Sequence, residues 1–352
     1  MGWYRFSTLI NERSPLPLFV LQEPIINGGM IKQRGVVLIG HKIVDDVFER
    51  YGNNFKKYWF IVSTCQSSTY GQSVHADLHL FADKDLNKDY LSSPAKKIPF
   101  MNMSGGLFVD PEMFFPENER KIYDVMYIAK WFKTKRIKLF VDAINLLSDV
   151  NGALLTFGVV TEKNQDESYN YSVEIKNYIK KTNAKIKLIA APEGEHKNPD
   201  GSFVPGGFTK EEMRGFINQA KSTVLLADIN EAFNRSICES LCCDVPVIVT
   251  KDTLGGIPHL IDSTMGEQAE PDPKDIAQMI KKVIDNQNLY SPRESFLKNY
   301  GNNNSNQKLK RKIEEIAKKQ ENPIKIEEDS KYYGDPWTKH IYSILDKYNY
   351  SE

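Results

Sequence analysis

Apolar runs that alternate with amphipathic stretches dominate the second half of the sequence. Short runs typical of buried parallel strands occupy residues 125–129, 154–160, 186–191, 223–227 and 246–249. Between them, apolar residues recur at helical spacing, most clearly as Ile137, Phe140, Val141, Ile144 and Leu147. Thr209 with Glu212 three residues later is the pattern of a capping box at a helix start. This alternation predicts a parallel sheet with right-handed helical crossovers.

The first half shows a weaker form of the same pattern. Strands are predicted at residues 18–21, 36–39, 59–62 and 78–81, with a helix over 44–52. Glycines and prolines between Ser104 and Pro116 are typical of an interdomain connection. The sequence therefore predicts domains at 1–116 and 117–320, with a connector and a last helix at 321–352.

The chain is predicted to be helical from Pro273 onwards, and residues 246–249 are the last strong strand. Residues 192–205 are predicted to be a loop. The segment 308–320 is charged enough to be a solvated helix. In the tail, one helical face carries Trp337, Ile341, Ile344 and Tyr348.

Two acidic residues flank a helix start in the middle of this second domain. Glu231 lies on the polar loop after the strand at 223–227, and Glu239 lies in the early turns of the next helix. Open α/β sheets place ligands at the carboxyl ends of their strands. Glu231 and Glu239 are therefore the first candidates for ligand binding.

The frame Glu-x7-Glu, followed by Val-Pro-Val-Ile-Val, resembles the signature of the retaining glycosyltransferase family commonly called family 4. Glycines of that signature are replaced here by Ala232, Asn234 and Asp244. Residues 97–116 resemble the family's interdomain link, and Gly255-Gly256 before Pro258 resembles its Gly-Gly-x-Pro segment beside the donor. The resemblance covers roughly residues 97–290 well and the first domain poorly.

The resemblance implies the GT-B architecture, in which two Rossmann-like domains face each other across a cleft. A last helix crossing back to the first domain would belong to it, although packing against the second domain explains the tail equally well. The first domain, which holds the acceptor site, is shorter here than is usual in the family.

The resemblance also implies roles for particular residues. Lys130 and Lys135 take the positions of the family's Arg and Lys, which hold the donor diphosphate. Glu231 would accept hydrogen bonds from the donor sugar, and Glu239 from the ribose hydroxyls. The remaining donor-side candidates are the backbone of Ala232, Phe233 and Asn234, the side chain of Arg235, and the glycines Gly255, Gly256, Gly28 and Gly29.

The implied reaction is the retaining transfer of a sugar from a nucleotide sugar to a hydroxyl of a glycan, a lipid or another small acceptor. It needs no cofactor and no metal, because fixed cations and helix N-termini can stabilise the leaving diphosphate. Front-face attack, assisted by the leaving phosphate, requires no protein nucleophile. The sequence does not identify the sugar, the nucleotide, the acceptor or the oligomeric state.

Two alternatives remain open from the sequence. Asp83 and Asp85 follow an apolar strand and could hold a divalent cation in a metal-dependent sugar transferase. The lost glycines and the short first domain leave room for a protein that binds nucleotide sugars or glycans without catalysis. His41 and His75 are weaker candidates on the acceptor side.

The composition of the chain argues against some classes of partner. The 352 residues contain 46 Lys and Arg against 46 Asp and Glu, a balance that argues against a nucleic-acid binder. The four cysteines lack metal-ligand spacing and predict reduced thiols in the cytoplasm. The sequence shows no signal-peptide core and no run of about 20 apolar residues, so peripheral membrane contact alone stays open.

Overall fold

The structure is a computed structural model that describes residues 18–22, 24–40, 58–64, 75–81, 97–156, 167–191, 195–197, 203–205 and 207–319. Two compact units divide the chain. One comprises Met1–Phe108 with Asn303–Glu352, and the other comprises Val109–Asn302. The division comes a few residues before the boundary predicted near Pro116, and the chain leaves the second unit at residue 302 rather than 320. The predicted helices at 44–52 and in the tail lie outside the described residues.

The first unit contains a five-stranded sheet with the order β1-β4-β5-β6-β7. Strand β1 is antiparallel to β4, and the other neighbours are parallel. A separate hairpin is formed by β2 and β3. The strand bounds are Leu18–Gln22 (β1), Ile25–Asn27 (β2), Met30–Gln33 (β3), Gly35–Gly40 (β4), Tyr58–Thr64 (β5), Leu78–Phe81 (β6) and Phe100–Asn102 (β7).

The second unit contains a six-stranded sheet, parallel throughout, with the order β10-β9-β8-β13-β14-β15. When only the strands of this sheet are counted, the order is 3-2-1-4-5-6, that of the dinucleotide-binding Rossmann fold. The strand bounds are Val125–Ala129 (β8), Gly152–Thr156 (β9), Ile186–Ala190 (β10), Thr223–Leu225 (β13), Val247–Thr250 (β14) and Gly266–Ala269 (β15). A separate antiparallel hairpin pairs Glu195–Lys197 (β11) with Phe203–Pro205 (β12).

Helices lie between these strands and after the last of them, and the final helix belongs to the first unit from Asn303 onwards. Their bounds are Ile137–Asn145 (α1), Glu167–Lys181 (α2), Lys210–Asn218 (α3), Arg235–Cys242 (α4), Ile257–Leu260 (α5), Pro273–Asp285 (α6), Pro292–Asn299 (α7) and Gly301–Lys319 (α8). The predicted face of α1 is buried at Ile137, Phe140, Val141 and Ile144. The predicted capping box is confirmed at α3, where Glu212 N donates to Thr209 Oγ1 at 3.1 Å and Thr209 N donates to Glu212 Oε2 at 2.7 Å.

Two predictions about secondary structure are wrong, and strands β2, β3, β7 and β15 were not predicted. Residues 192–205, predicted as a loop, contain the hairpin of β11 and β12. Strand β15 was not predicted, because Gly-Glu-Gln-Ala has neither alternation nor β-branched residues. Helix α8 is not a fully solvated helix, since it buries Leu309, Ile313 and Ile316 at the spacing of one helical face.

The segment that follows the first unit is fastened to the second unit by polar side chains. Arg293 donates to the carbonyls of Pro111 at 3.1 Å and Phe114 at 2.9 Å. Arg214 donates to the Met113 carbonyl at 3.0 Å, and Asn218 donates to the Phe115 carbonyl at 3.0 Å. These carbonyls belong to an irregular stretch, so side chains supply the hydrogen bonds that a helix or sheet would provide.

The described cysteines lie in and directly after α4, where Cys238, Cys242 and Cys243 are buried and free. Burial raises the pKa of Cys242 to about 12. These thiols are therefore neutral at ordinary pH and act as small apolar side chains. Cys65 lies outside the described residues.

Candidate donor site

The strand order places the candidate residues at one point of the sheet. Strands β8 and β13 are neighbours, although a long crossover separates them in the chain. The connections from β8 and β13 leave the sheet in opposite directions, which makes this the topological switch point where open α/β sheets bind ligands. Lys130 and Lys135 follow β8, and Glu231 follows β13. The two loops therefore meet at the same edge.

The loop after β8 is built on the strand beneath it. Trp131 is buried, whereas Lys130 and Phe132 are exposed. Residues Lys133–Lys135 form one 3-10 turn before α1 begins. The Tyr127 hydroxyl, from β8, donates to the Lys135 carbonyl. Burial raises the pKa of Tyr127 well above its usual value, and the Glu231 carboxylate adds to this, so the hydroxyl remains a donor.

Glu231 is held by two donors from different parts of the chain. Lys135 Nζ donates to Glu231 Oε1, and Asn234 Nδ2 donates to Glu231 Oε2 at 2.7 Å. The Lys135 and Glu231 side chains are only 14% and 8% exposed. A charge pair shielded to this extent interacts more strongly than one in water. The loops after β8 and β13 thus bring the two sequence-predicted candidates Lys135 and Glu231 into contact.

Asn234 explains one of the departures from the family signature. Its Oδ1 accepts from Ile237 N at 3.2 Å, as an N-cap of α4, while its Nδ2 holds Glu231. A glycine could do neither. Its φ of −52° also shows that this position does not require glycine.

The other two departures lie at left-handed backbone positions. Ala232 has a φ of 55° and Asp244 a φ of 58°. Residues other than Gly, Asn and Asp rarely adopt this backbone conformation, so the backbone is more strained at Ala232 than at Asp244. Asp244 Oδ1 additionally accepts from Arg293 N at 3.0 Å.

The Gly-Gly segment lies against the Glu231 loop. Glu231 N donates to the Leu254 carbonyl at 2.9 Å, and Gly256 N donates to the Ala232 carbonyl at 2.8 Å. Gly255 has a φ of 109°, and a Cβ there would lie 2.7 Å from Ala232 N. Any side chain at 255 would therefore displace the backbone that carries Glu231.

Glu239 lies on α4, is 4% exposed, and accepts from Arg235 Nε at 2.7 Å. Burial raises the pKa of Glu239, and the neighbouring Arg235 opposes that shift. A buried acid with a raised pKa beside a ligand-binding edge is a functional candidate on physical grounds.

A network that the sequence did not predict surrounds Arg136. Its guanidinium donates to both carboxylate oxygens of Asp252, at 3.0 and 2.7 Å, and lies 3.3 Å from Asp228 Oδ2. Asp228 follows β13 and Asp252 follows β14. Within the sequence, Arg136 was one of several basic residues near a helix start and carried no distinguishing signal.

The remaining sequence-predicted candidates lie in the first unit, close to Glu231 in the chain, or outside the described residues. Gly28 and Gly29, with φ of 57° and 76°, form the exposed two-residue turn between β2 and β3 in the first unit. This matches the turn type that glycine favours in hairpins. Phe233 is half-buried and His75 is exposed. His41, Asp83 and Asp85 lie outside the described residues.

Two further findings concern metals and membranes. Within the described ranges, no group of three His, Cys, Asp or Glu side chains could hold a metal ion. In the same part of the chain, no helix combines the length and apolarity needed to cross a membrane.

The family is shown by comparison of the sequence with known protein families. The family described as "Glycosyl transferases group 1" matches residues 110–304, which is more than half of the 352 residues. The chain belongs to this family of glycosyltransferases. The match includes every candidate of the second unit, from Lys130 to Gly256. No curated protein matches the sequence significantly.

Solved structures of low sequence identity share the fold. Sucrose-phosphate synthase from Thermosynechococcus elongatus has a TM-score of 0.57 and 14% identity, over 89% of this chain and 74% of that one. A glycosyltransferase from Rickettsia africae ESF-5 has a TM-score of 0.59 and 15% identity, over 80% and 77%. Alr3699/HepE from Anabaena, in complex with UDP, has a TM-score of 0.57 and 12% identity, over 78% of each chain. The predicted α/β class with two Rossmann-like domains is confirmed.

Proposed function

We propose that this protein transfers a sugar from a nucleotide-sugar donor to an acceptor hydroxyl, with retention of configuration and without a metal ion. The observation that carries the proposal is the shielded Lys135–Glu231 pair at the switch point of a Rossmann-type sheet. Membership of the group 1 glycosyltransferases supports the reaction class.

The donor diphosphate would lie against the loop after β8 and the N-terminus of α4. One N–H of the Lys135 ammonium points to Glu231, and the ammonium has three such donors, which leaves others for a phosphate oxygen. Lys130 is exposed at the end of β8, and Arg235 begins α4 with 34% of its side chain exposed. Fixed cations of this kind stabilise the negative charge that grows on a leaving diphosphate.

The two glutamates would bind the two ends of the donor. Glu231 would accept hydrogen bonds from the sugar hydroxyls, and Glu239 from the ribose hydroxyls. A carboxylate can accept from two neighbouring hydroxyls at once. The backbone of Ala232, Phe233 and Asn234 and the glycines Gly255 and Gly256 would line the donor. Gly28 and Gly29 in the first unit stay predicted contacts.

The proposed chemical step takes place on one face of the sugar. The acceptor oxygen forms a bond to the anomeric carbon while the bond from that carbon to the phosphate oxygen breaks. The proton of the acceptor hydroxyl passes to the leaving phosphate. No protein nucleophile or general base is assigned, and no cofactor is required.

The first donors to test are UDP-sugars. Alr3699/HepE was solved with UDP-glucose, and the pneumococcal O-GlcNAc transferase GtfA with UDP and GlcNAc. The acceptor would be a glycan, a lipid or another small hydroxyl compound. We place the reaction in the cytoplasm, at most at the periphery of a membrane.

The test is an incubation with UDP-, GDP- and ADP-sugars, with and without excess EDTA, that measures released nucleoside diphosphate. The anomeric configuration of the product is determined by NMR. Glu270→Gln is the matched control for Glu231→Gln in this assay, because Glu270 is an exposed acid that pairs with Lys251.

We expect release that persists in EDTA, a product with the donor's configuration, and full activity of the control. Activity lost in EDTA would instead favour a metal site at Asp83 and Asp85. Nucleotide binding without any release would favour a non-catalytic binding protein.

A further inference from the structure

Arg136 connects three loops at the edge of the sheet where the donor is proposed to bind. It follows Lys135 directly in the loop after β8. Its guanidinium bonds Asp252, after β14, through two nitrogens, and it pairs with Asp228, after β13, at 3.3 Å. Two parallel N–H···O bonds fix both the distance and the orientation of the groups they join.

The backbone of Arg136 is itself held in a costly conformation. Its φ of 50° and ψ of 42° are left-handed, a backbone conformation that is unfavourable for a residue other than glycine. Such strain persists where the surrounding contacts determine the conformation. Here it turns the chain between the 3-10 turn that ends at Lys135 and the first residue of α1.

Further hydrogen bonds join the same three loops. Asp228 N donates to the Thr134 carbonyl at 3.1 Å, which links the loops after β8 and β13. Thr253 Oγ1 donates to the Ala227 carbonyl at 2.9 Å, and Glu231 N donates to the Leu254 carbonyl at 2.9 Å, which links the loops after β13 and β14. The loops therefore form one hydrogen-bonded body around the Lys135–Glu231 pair.

We propose that Arg136 is a positioning residue that locks these loops so that Lys135 reaches Glu231, and that Arg136 itself does not bind the donor. Its donors are directed to Asp252 and Asp228, and its side chain is only 23% exposed. The proposal rests on the proposed function for its effect on catalysis, but the lock itself can be tested separately.

The first measurement is amide hydrogen exchange in the 352-residue chain carrying Arg136→Gln. We expect exchange at Asp228 N and Glu231 N to become about tenfold faster, because local opening is no longer resisted by the side-chain bonds. Amides in the centre of β8 and β14 should keep their rates. The matched control is Arg214→Gln, which removes another ion-paired, largely shielded arginine of the same unit. Unchanged exchange at Asp228 and Glu231 would overturn the proposal.

The second measurement separates positioning from charge neutralisation. We expect kcat of Arg136→Gln to fall about ten- to a hundredfold, as misplacement of catalytic groups does, with a smaller change in nucleoside-diphosphate affinity. The triple variant Arg136→Gln, Asp228→Asn, Asp252→Asn removes the uncompensated charges but does not restore the bonds between the loops. Its kcat should therefore stay low. Recovery of kcat in the triple variant would overturn the positioning role.

Failure of this inference can be distinguished from failure of the proposed function. A wild-type protein that releases nucleoside diphosphate from no donor would contradict the proposed function alone. The exchange rates at Asp228 and Glu231 would still decide whether Arg136 holds the loops.

Discussion

The loop that carries Glu231 and the helix that carries Glu239 both bury a carboxylate beside one cation, but they do so by different means. Glu231 is paired with Lys135, 96 residues away in the chain, and with Asn234. Glu239 is paired with Arg235, one turn earlier on its own helix. The first arrangement depends on the strand order of the sheet, whereas the second is local to α4.

Because of this difference, we expect the two carboxylates to contribute to different properties of the protein. The Glu231 pair depends on two loops meeting correctly, so it is sensitive to every residue that shapes them. The Glu239–Arg235 pair requires only that α4 is formed, but burial makes the charged form of Glu239 costly. The comparison predicts that perturbing the first acts mainly on catalysis and perturbing the second mainly on nucleotide binding and stability.

The largest effect is expected from Lys135→Met. The change removes the proposed phosphate cation, and loss of one preorganised electrostatic contact lowers kcat roughly a hundredfold or more. It also leaves the shielded Glu231 without its partner, which costs about 3 kcal/mol of unfolding free energy. Steady-state kinetics and denaturant unfolding would measure the two effects. Lys281→Met, which breaks an exposed pair with Asp149, is the control and should change neither quantity appreciably.

Glu231→Gln should have the next largest effect. Loss of a hydrogen bond to a charged partner costs roughly 1.5–3 kcal/mol, so kcat should fall about ten- to a hundredfold. Affinity for the free nucleoside diphosphate, measured by calorimetry, should change much less, because the proposed contact is to the sugar. A variant with normal kcat and weakened nucleotide binding would show that the roles of the two glutamates are reversed.

Glu239→Gln should raise the donor KM or Kd about tenfold and leave kcat nearly unchanged, since nucleotide contacts act equally in ground and transition states. The same variant should be more stable than the wild type near neutral pH. Burial raises the folded-state pKa of Glu239 above its ordinary value of 4.5, so the native state holds this proton more tightly than the unfolded state.

The direction of this pKa shift determines how the contribution of Glu239 to stability changes with pH. Its contribution to stability is complete below the ordinary pKa of 4.5 and is lost as pH rises through the raised pKa of the folded state. Thermal unfolding from pH 4 to pH 8 should therefore show a growing advantage of Glu239→Gln over the wild type. A constant difference across this range would contradict the assigned pKa direction.

The smallest effect is expected from Ala232→Gly. A glycine would relieve the left-handed strain at this position, with a gain of at most about 1 kcal/mol in the free energy of unfolding. Ala153→Gly, in β9, is a control without positive φ and should destabilise the protein. If Ala232→Gly also destabilises, the contacts of the Ala232 methyl group outweigh its backbone strain.

The fold of the second unit was predictable because its strands are almost continuously apolar and its helices keep one buried face. The exceptions have a common cause. Strand β15 has no apolar alternation of its own and is formed by pairing with β14. In the first unit, helix α8 likewise buries Leu309 and Ile313, although charged residues surround them in the sequence. Tertiary context of this kind overrides local propensity.

The site was only partly predictable for a related reason. Glu231, Glu239 and Lys135 have fixed positions in a recognisable frame. Arg136 has no such signal, since its partners Asp228 and Asp252 lie 92 and 116 residues further along the chain. Positive φ at Ala232 could have been anticipated only from the glycine that the family has there.

The fastening of the segment after the first unit determines where the two halves of this chain can be exchanged. Because Arg214, Asn218 and Arg293 hold the carbonyls of Pro111–Phe115, that stretch is structurally a part of the second unit. A chimera joined at residue 117 would separate these side chains from the carbonyls they hold. A chimera that exchanges residues 1–108 together with residues 303–352, the two parts of the first unit, would keep them and leave the second unit intact.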